Sequence, residues 1–239
     1  MSGHSKWATI KRQKGANDAK RGALFTKLSK AISIAVTQGV GIGDPAQNFR
    51  LRLAVEAARA GNMPKENIER AIERAAGKNG VALEEVVYEG FGPGGVGIIV
   101  EAATDNKNRT TSEVSNIFNK NGGNMGQPGS VSYQFKQIGQ LIMDKKNRTL
   151  DDIFLEAADA GAEDVEEGGD EFFIYTNPSD LAKVKDNLSQ KGIDIKEMEL
   201  TRQPTMTMPV DDEIAEKVMN IMEKMEELDD VQKTYSNLG

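Results

Sequence analysis

The sequence predicts an α+β protein of three domains: an N-terminal three-helix domain followed by two ferredoxin-like βαβ domains, the third inserted in the second. Three observations lead there. Apolar residues recur with a period near 3.6 before Gly80 and near 2 after it. Strand and helix signals then run β-β-α-β, and later β-α-β, around a self-contained β-α-β-β-α-β set. With 38% hydrophobic residues and 24 glycines in 239 residues, usage is that of an ordinary globular chain able to bury real cores.

Residues 1–15 are basic, polar and aperiodic, and predict a loosely docked arm with Trp7 and Ile10 as its large apolar groups. From Ala16, Leu24, Phe25, Leu28, Ile32, Ala35 and Val36 lie on one helical stripe, which Gly39, Gly41 and Gly43 stop. Asp44-Pro45 predicts the cap and first residue of a second helix, since proline lacks an N–H that the first turn does not use. That stripe runs through Phe49, Leu53 and Ala57 to Gly61; Pro64 opens a third, with Ile68, Ala71, Ile72 and Ala75 inward, ended by Gly77. Strands are predicted at 86–89 and 97–101 with GFGPGG between them, then a helix over 109–120 and a strand over 130–135. The inner set begins with a strand at 139–143. A helix capped by Thr149 ends at Gly161, and a hairpin turns at Gly168-Gly169. A helix opened by Asn177-Pro178 and a strand near 193–200 complete it. A short strand at 206–208, a long helix capped by Asp211 and a strand at 231–235 close the chain. The domains are therefore expected at 1–79, at 80–136 with 204–239, and at 137–203.

Charge is divided unevenly. Residues 1–79 hold 15 Lys and Arg against 6 Asp and Glu, or +9; residues 80–239 hold 15 against 31, or −16, which together give the net −7. Residues 1–30 alone carry eight bases and one acid, Asp18. A basic front on an acidic body is the footprint of a polyanion-binding face. The absence of cysteine excludes a disulfide framework, a thiolate metal site and a cysteine nucleophile. A single histidine, His4, excludes any site built on two imidazoles. No run approaches 18 apolar residues, and the N-terminus lacks the apolar core of a secretory signal, so a cytoplasmic protein without membrane contact is expected.

Catalytic patterns are missing. His4 has no acidic neighbour to orient it, and no SxxK or GxSxG accompanies a serine. GFGPGGVG at 90–97 lacks the Lys-Ser/Thr of a phosphate loop and precedes a strand, so it predicts a hairpin turn. The carboxylate pairs Asp151-Asp152, Glu166-Glu167, Asp211-Asp212 and Asp229-Asp230 fall at helix starts or turns, where they serve the helix dipole. Met219, Met222 and Met225, at helical spacing, predict core, with Met206 and Met208 nearby. No enzyme activity, cofactor, metal or small-molecule substrate is called for.

The strongest signal is the basic arm. Lys6, Lys11, Arg12, Lys14, Lys20, Arg21, Lys27 and Lys30 neutralise phosphates, and Trp7 among them offers a ring to an exposed base. A solvated charge run or an organellar transit peptide is the competing reading. A second candidate is the loop 105–110, where Lys107, Arg109 and backbone N–H groups at a helix entry suit an anion; ordinary capping competes there. The glycine-rich stretch 122–130 is longer than a tight turn requires and suits a contact loop.

Four motifs, GHSKWATIKRQKGANDAKRGALFTKL at 3–28, NMPKENIERAI at 62–72, YEGFGPGGVGIIVEAATDNKNRT at 88–110 and GGNMGQPGSVSYQF at 122–135, closely resemble the YebC/PmpR family in the same order. The resemblance runs the length of the chain to the VQKTYSN ending. It implies three domains, one helical and two α/β, and a regulator of gene expression that binds DNA. It also implies an alternative, since mitochondrial relatives activate translation of a cytochrome oxidase subunit and some bacterial members act on ribosomes stalled at proline runs. The family's motif falls on His4, Ser5, Lys6, Trp7, Ile10 and Lys11, which with Arg12, Lys14, Lys20, Arg21, Lys27, Lys107 and Arg109 form the expected nucleic-acid-binding set. The partner is then DNA or, alternatively, ribosomal RNA on the ribosome, and the protein is expected to be a monomer.

Overall fold

The computed structural model describes residues 18–77 and 83–239. They fall into two compact units, one formed by residues 137–203 and the other by the described residues up to 136 together with 204–239.

The larger unit begins with three helices. Helix α1 (Asp18–Gln38), α2 (Phe49–Ala60) and α3 (Lys65–Ala76) pack through Ile32, Ala35, Val36, Leu51, Val55, Ala58, Met63, Ile68 and Ala71. The stripes read for α1 from Phe25 onward and for α3 face this core, but Leu24 is 41% exposed, and α2 buries Leu51, Val55 and Ala58 in place of the expected Phe49, Leu53 and Ala57, of which Ala57 is exposed. The start of α2 differs from expectation. Asp44 and Pro45 open a turn in which the Asp44 carboxylate accepts the Ala46 N–H (2.9 Å), and the helix begins four residues later. Asn48 takes over the cap because its buried amide satisfies three partners at once. It accepts the Leu51 N–H at 3.0 Å and donates to the carbonyls of Ala35 (2.8 Å) and Ile42 (3.2 Å). Gly39 leaves the room, since a Cβ there would lie 2.1 Å from the Asn48 amide nitrogen.

Strands β1 (Glu84–Phe91) and β2 (Gly97–Thr104) form an antiparallel hairpin around a turn at Pro93–Gly95. Helix α4 (Lys107–Lys120) leads to the two-residue strand β3 (Asn124–Met125). The C-terminal helix α7 (Asp212–Glu226) and strand β8 (Val231–Ser236) return beside them. The sheet order is β3-β1-β2-β8, so strands from both sides of the inner set share one sheet. Val96, Ile98, Val100 and Ala102 pack with Val114 and Phe118 of α4 and Val218, Ile221, Met222 and Met225 of α7. Met222 and Met225 are core and Met219 packs against them partly buried; Met206 is 77% exposed and Met208 37%.

Two expected strands are replaced. Residues 130–135 do not extend the sheet: Ser132–Gln134 form a 3-10 turn, and pairing with β1 falls to Asn124 and Met125. The alternation misleads because the N–H groups of Val131 and Ser132 go to the Glu89 carboxylate instead of a strand. At 206–208, only a single bridge from Met208 to Leu238 forms.

The smaller unit comprises most of β4 (Phe135–Asp144), then α5 (Leu150–Ala160), β5 (Asp164–Gly168), β6 (Glu171–Thr176), α6 (Leu181–Gln190) and most of β7 (Glu197–Pro204). The sheet order β5-β6-β4-β7 places the first and third strands side by side in the middle, which is the ferredoxin-like arrangement. Ile153, Ala157, Leu181, Val184 and Leu188 are buried on its two helices. The α+β class holds throughout.

Candidate nucleic-acid interface

Of the expected binding set, His4, Ser5, Lys6, Trp7, Lys11, Arg12 and Lys14 lie outside the described residues. Lys20 and Arg21 lie in the first turn of α1. Lys27, Lys107 and Arg109 are described in full, and the chain employs two of the three internally.

Lys27 and Lys30 are one turn apart on α1, off the stripe that faces α2 and α3. The Lys27 ammonium donates to the Glu226 carbonyl in the last turn of α7, where the helix dipole favours a cation. Lys30 donates to the Asp229 carbonyl at 2.9 Å and to Asp230 Oδ1 at 2.5 Å. Asp230 is 4% exposed and gathers donors from three elements. Its Oδ2 lies 2.6 Å from Arg109 Nη2, 2.7 Å from Thr110 Oγ1 and 3.0 Å from Thr104 Oγ1. Burial acts to raise the carboxyl pKa, but the bonds from Lys30, Arg109, Thr110 and Thr104 outweigh it and hold the group well below its ordinary value. Arg109, also paired with Asp105 at 2.8 Å, is held charged by the same contacts. The helices are thereby pinned to the sheet end formed by Glu84, Thr104 and Val231. Gln38 and Arg50 reinforce that end by donating to the exposed Glu85 at 2.7 and 3.0 Å.

Lys107, the first residue of α4, is exposed and forms no ion pair among the described residues. Beside it the loop is capped conventionally: Asn106 Oδ1 accepts the Arg109 N–H at 3.1 Å, and Thr104 Oγ1 accepts the Asn106 N–H at 2.9 Å.

The opposite end of the sheet presents the glycine-rich loops. Glu89, 6% exposed within β1, accepts the N–H groups of Gly129 (2.8 Å), Val131 (2.6 Å) and Ser132 (2.8 Å). Burial opposes ionisation here too, and the three backbone donors win, so this carboxyl also sits below its ordinary range. Sequence reasoning missed both hubs. Asp230 looked like half of a turn pair and Glu89 like one more residue of a strand; the available signal was an acid between Tyr88 and the glycine-rich run that opens at Gly90.

Among the described residues, no group of three or more His, Asp or Glu side chains is arranged to hold a metal ion, and no helix is long and apolar enough to cross a membrane.

Family models match almost the whole of this arrangement. Residues 5–78 match the TACO1/YebC protein N-terminal domain, and residues 83–238 the TACO1/YebC second and third domain. The chain belongs to the TACO1/YebC family. A TACO1/YebC relative from Dictyoglomus turgidum is 52% identical over 239 residues, covering 99% of this chain and 95% of its own. One from Chloroflexus aurantiacus is 53% identical over 242 residues, covering 100% and 95%. Each is named a probable transcriptional regulatory protein. The crystal structure of a conserved hypothetical protein from Aquifex aeolicus matches with a TM-score of 0.90 at 45% identity, covering 98% of this chain and 97% of that one. The TACO1/YebC match breaks at 79–82, between the helical part and β1.

Proposed function

We propose that this chain is a cytoplasmic, non-enzymatic regulator of gene expression that binds DNA as a monomer, without a cofactor or small-molecule substrate. The observation that carries the reading is the charge division: +9 over residues 1–79 and −16 over 80–239. By net charge, phosphates are drawn to the first and repelled by the second, so the polyanion is met chiefly by the basic front. The names of its relatives support a regulatory role. The contacts are assigned to His4, Ser5, Lys6, Trp7, Lys11, Arg12, Lys14, Lys20, Arg21 and Lys107. Lys27 serves by fixing α1 to the Glu226 carbonyl at the end of α7, and Arg109 by holding Asp230, the carboxylate that also takes Lys30 of α1.

One observation favours a second reading, an RNA-binding translation factor on the ribosome. Helix α3 exposes Glu66, Glu69 and Glu73 among Lys65, Arg70 and Arg74, and Lys65 pairs with Glu69 at 3.4 Å. A helix of such mixed charge reads a major groove poorly, whereas irregular RNA is read by shape and stacking. In-cell crosslinking with sequencing of both the DNA and the RNA recovered separates the two. Discrete promoter peaks without ribosomal RNA support the DNA reading. Ribosomal RNA peaks that vanish on deleting residues 1–15 overturn it in favour of the translation factor.

A further inference from the structure

Tyr133 is 73% exposed, an unusual position for a large ring, and it is held there firmly. The Gly97 N–H donates to Asn237 Oδ1 at 2.8 Å, and Asn237 Nδ2 donates to Gln134 Oε1 at 2.6 Å. Gln134 Nε2 in turn donates to the Tyr133 hydroxyl at 3.1 Å. This chain of amides roots the phenol in the first residue of β2, and Asn237 within it is only 5% exposed. The backbone is fixed as well. Glu89 takes the N–H groups just before the ring, and the Gln134 carbonyl just after it accepts the Thr205 N–H at 2.8 Å and hydroxyl at 2.9 Å. The phenol proton itself has no acceptor among the described residues, and the ammonium of Lys136 is exposed two residues on.

We infer that Tyr133 is a stacking platform for an unpaired nucleobase, a second nucleic-acid contact at the end of the sheet opposite the docked helices. An exposed ring with a fixed orientation loses little freedom when a base lies on it, so stacking is gained at small entropic cost. The free hydroxyl proton and the Lys136 ammonium suit a ligand rich in acceptors and phosphate, which favours nucleic acid over a protein surface. A base within a duplex is already stacked, so the platform selects single strands. The inference rests on the nucleic-acid reading above and adds to it the class of strand preferred.

The test uses the full chain and two fluorescein-labelled probes, a 12-nucleotide oligoadenylate RNA and a DNA duplex of the same length, read by anisotropy. Tyr133→Ala is expected to weaken oligoadenylate binding by about 5- to 100-fold. Tyr133→Phe is expected to stay within about threefold, and duplex binding to be unchanged. The slope of log K against log salt should not move, because the ring carries no charge. The ring's exposure predicts an unaltered melting temperature, which circular dichroism checks. If the unaltered chain binds oligoadenylate and Tyr133→Ala binds it equally well, the platform is refuted and the ring is left to a protein partner. If the unaltered chain binds neither probe, the nucleic-acid reading itself falls, and this inference with it.

Discussion

Glu89 and Asp230 occupy places where apolar side chains usually sit, and each justifies its burial by the donors it collects. Their carboxyl pKa values are lowered in the fold, whereas the unfolded chain returns them to ordinary values of 4.5 and 3.8. The stability they contribute is therefore complete above both ordinary values and is lost as pH falls through them toward the folded ones. The urea midpoint should stay level from neutral pH to about pH 5 and drop below it, and Asp230→Asn should flatten that drop. An equal acid-side drop in Asp230→Asn would remove Asp230 from the account. Asp230→Ala leaves Lys30 and Arg109 facing a void. It should cost about 2–3 kcal/mol, less than a fully buried pair because both cations reach water. The residues that sequence reading named best were those whose surroundings are local, such as the caps Thr149 and Asp211. Asp230 was illegible because its partners lie 120 or more positions away in the chain.

Among the elements, the stripes of α1 and α3 and the hairpin turns were readable because each depends on a few neighbouring residues, whereas the stripe expected for α2, Phe49, Leu53 and Ala57, gave way to Leu51, Val55 and Ala58. Gly161 at φ +101° ends α5, and Gly169 at φ +63° lies in the turn between β5 and β6, both where the sequence put a stop. The misread starts have a common cause in tertiary competition. Asp44-Pro45 has the chemistry of a helix opening, but Asn48 gains three buried bonds by capping four residues later. Asn48→Ala should then cost about 2 kcal/mol, a cap plus two abandoned carbonyls, seen as a lower urea midpoint. A change below about 0.5 kcal/mol would mean that Asp44 resumes the role. The alternation at 130–135 failed for a similar reason: it describes which side chains face inward but not where the N–H groups go. The basic arm, the heart of the candidate site, is assigned from charge alone and lies mostly outside the described residues, whereas Tyr133 was hidden because exposure is not written in a single residue's type.

At the scale of the whole molecule, the two crossings between the units lie close together. The Thr205 N–H meets the Gln134 carbonyl at 2.8 Å, so the ends left by removing 137–203 are already adjacent. Replacing that stretch by a short Gly-Ser linker should leave the larger unit folded, as a cooperative melt by circular dichroism will report; a non-cooperative melt would refute its independence. Binding by the basic front should follow counterion release. With roughly five to eight phosphates neutralised, log K should fall against log salt with a slope of about −4 to −7. Lys11→Glu with Arg12→Glu should flatten that slope and weaken every nucleic acid alike, without lowering the melting temperature; an unchanged affinity would move the site elsewhere.

The pairing of β2 with β8 also governs when the sheet of the larger unit closes during synthesis. All strands of the inserted unit emerge together and can pair at once, whereas β2, already paired with β1, gains its second neighbour only when β8 emerges. Until Asp230 leaves the ribosome, Lys30, Arg109, Thr104 and Thr110 have no common acceptor. A transcript cut short before that codon therefore yields a chain with every cation of its front and without the carboxylate that joins Lys30 to Arg109.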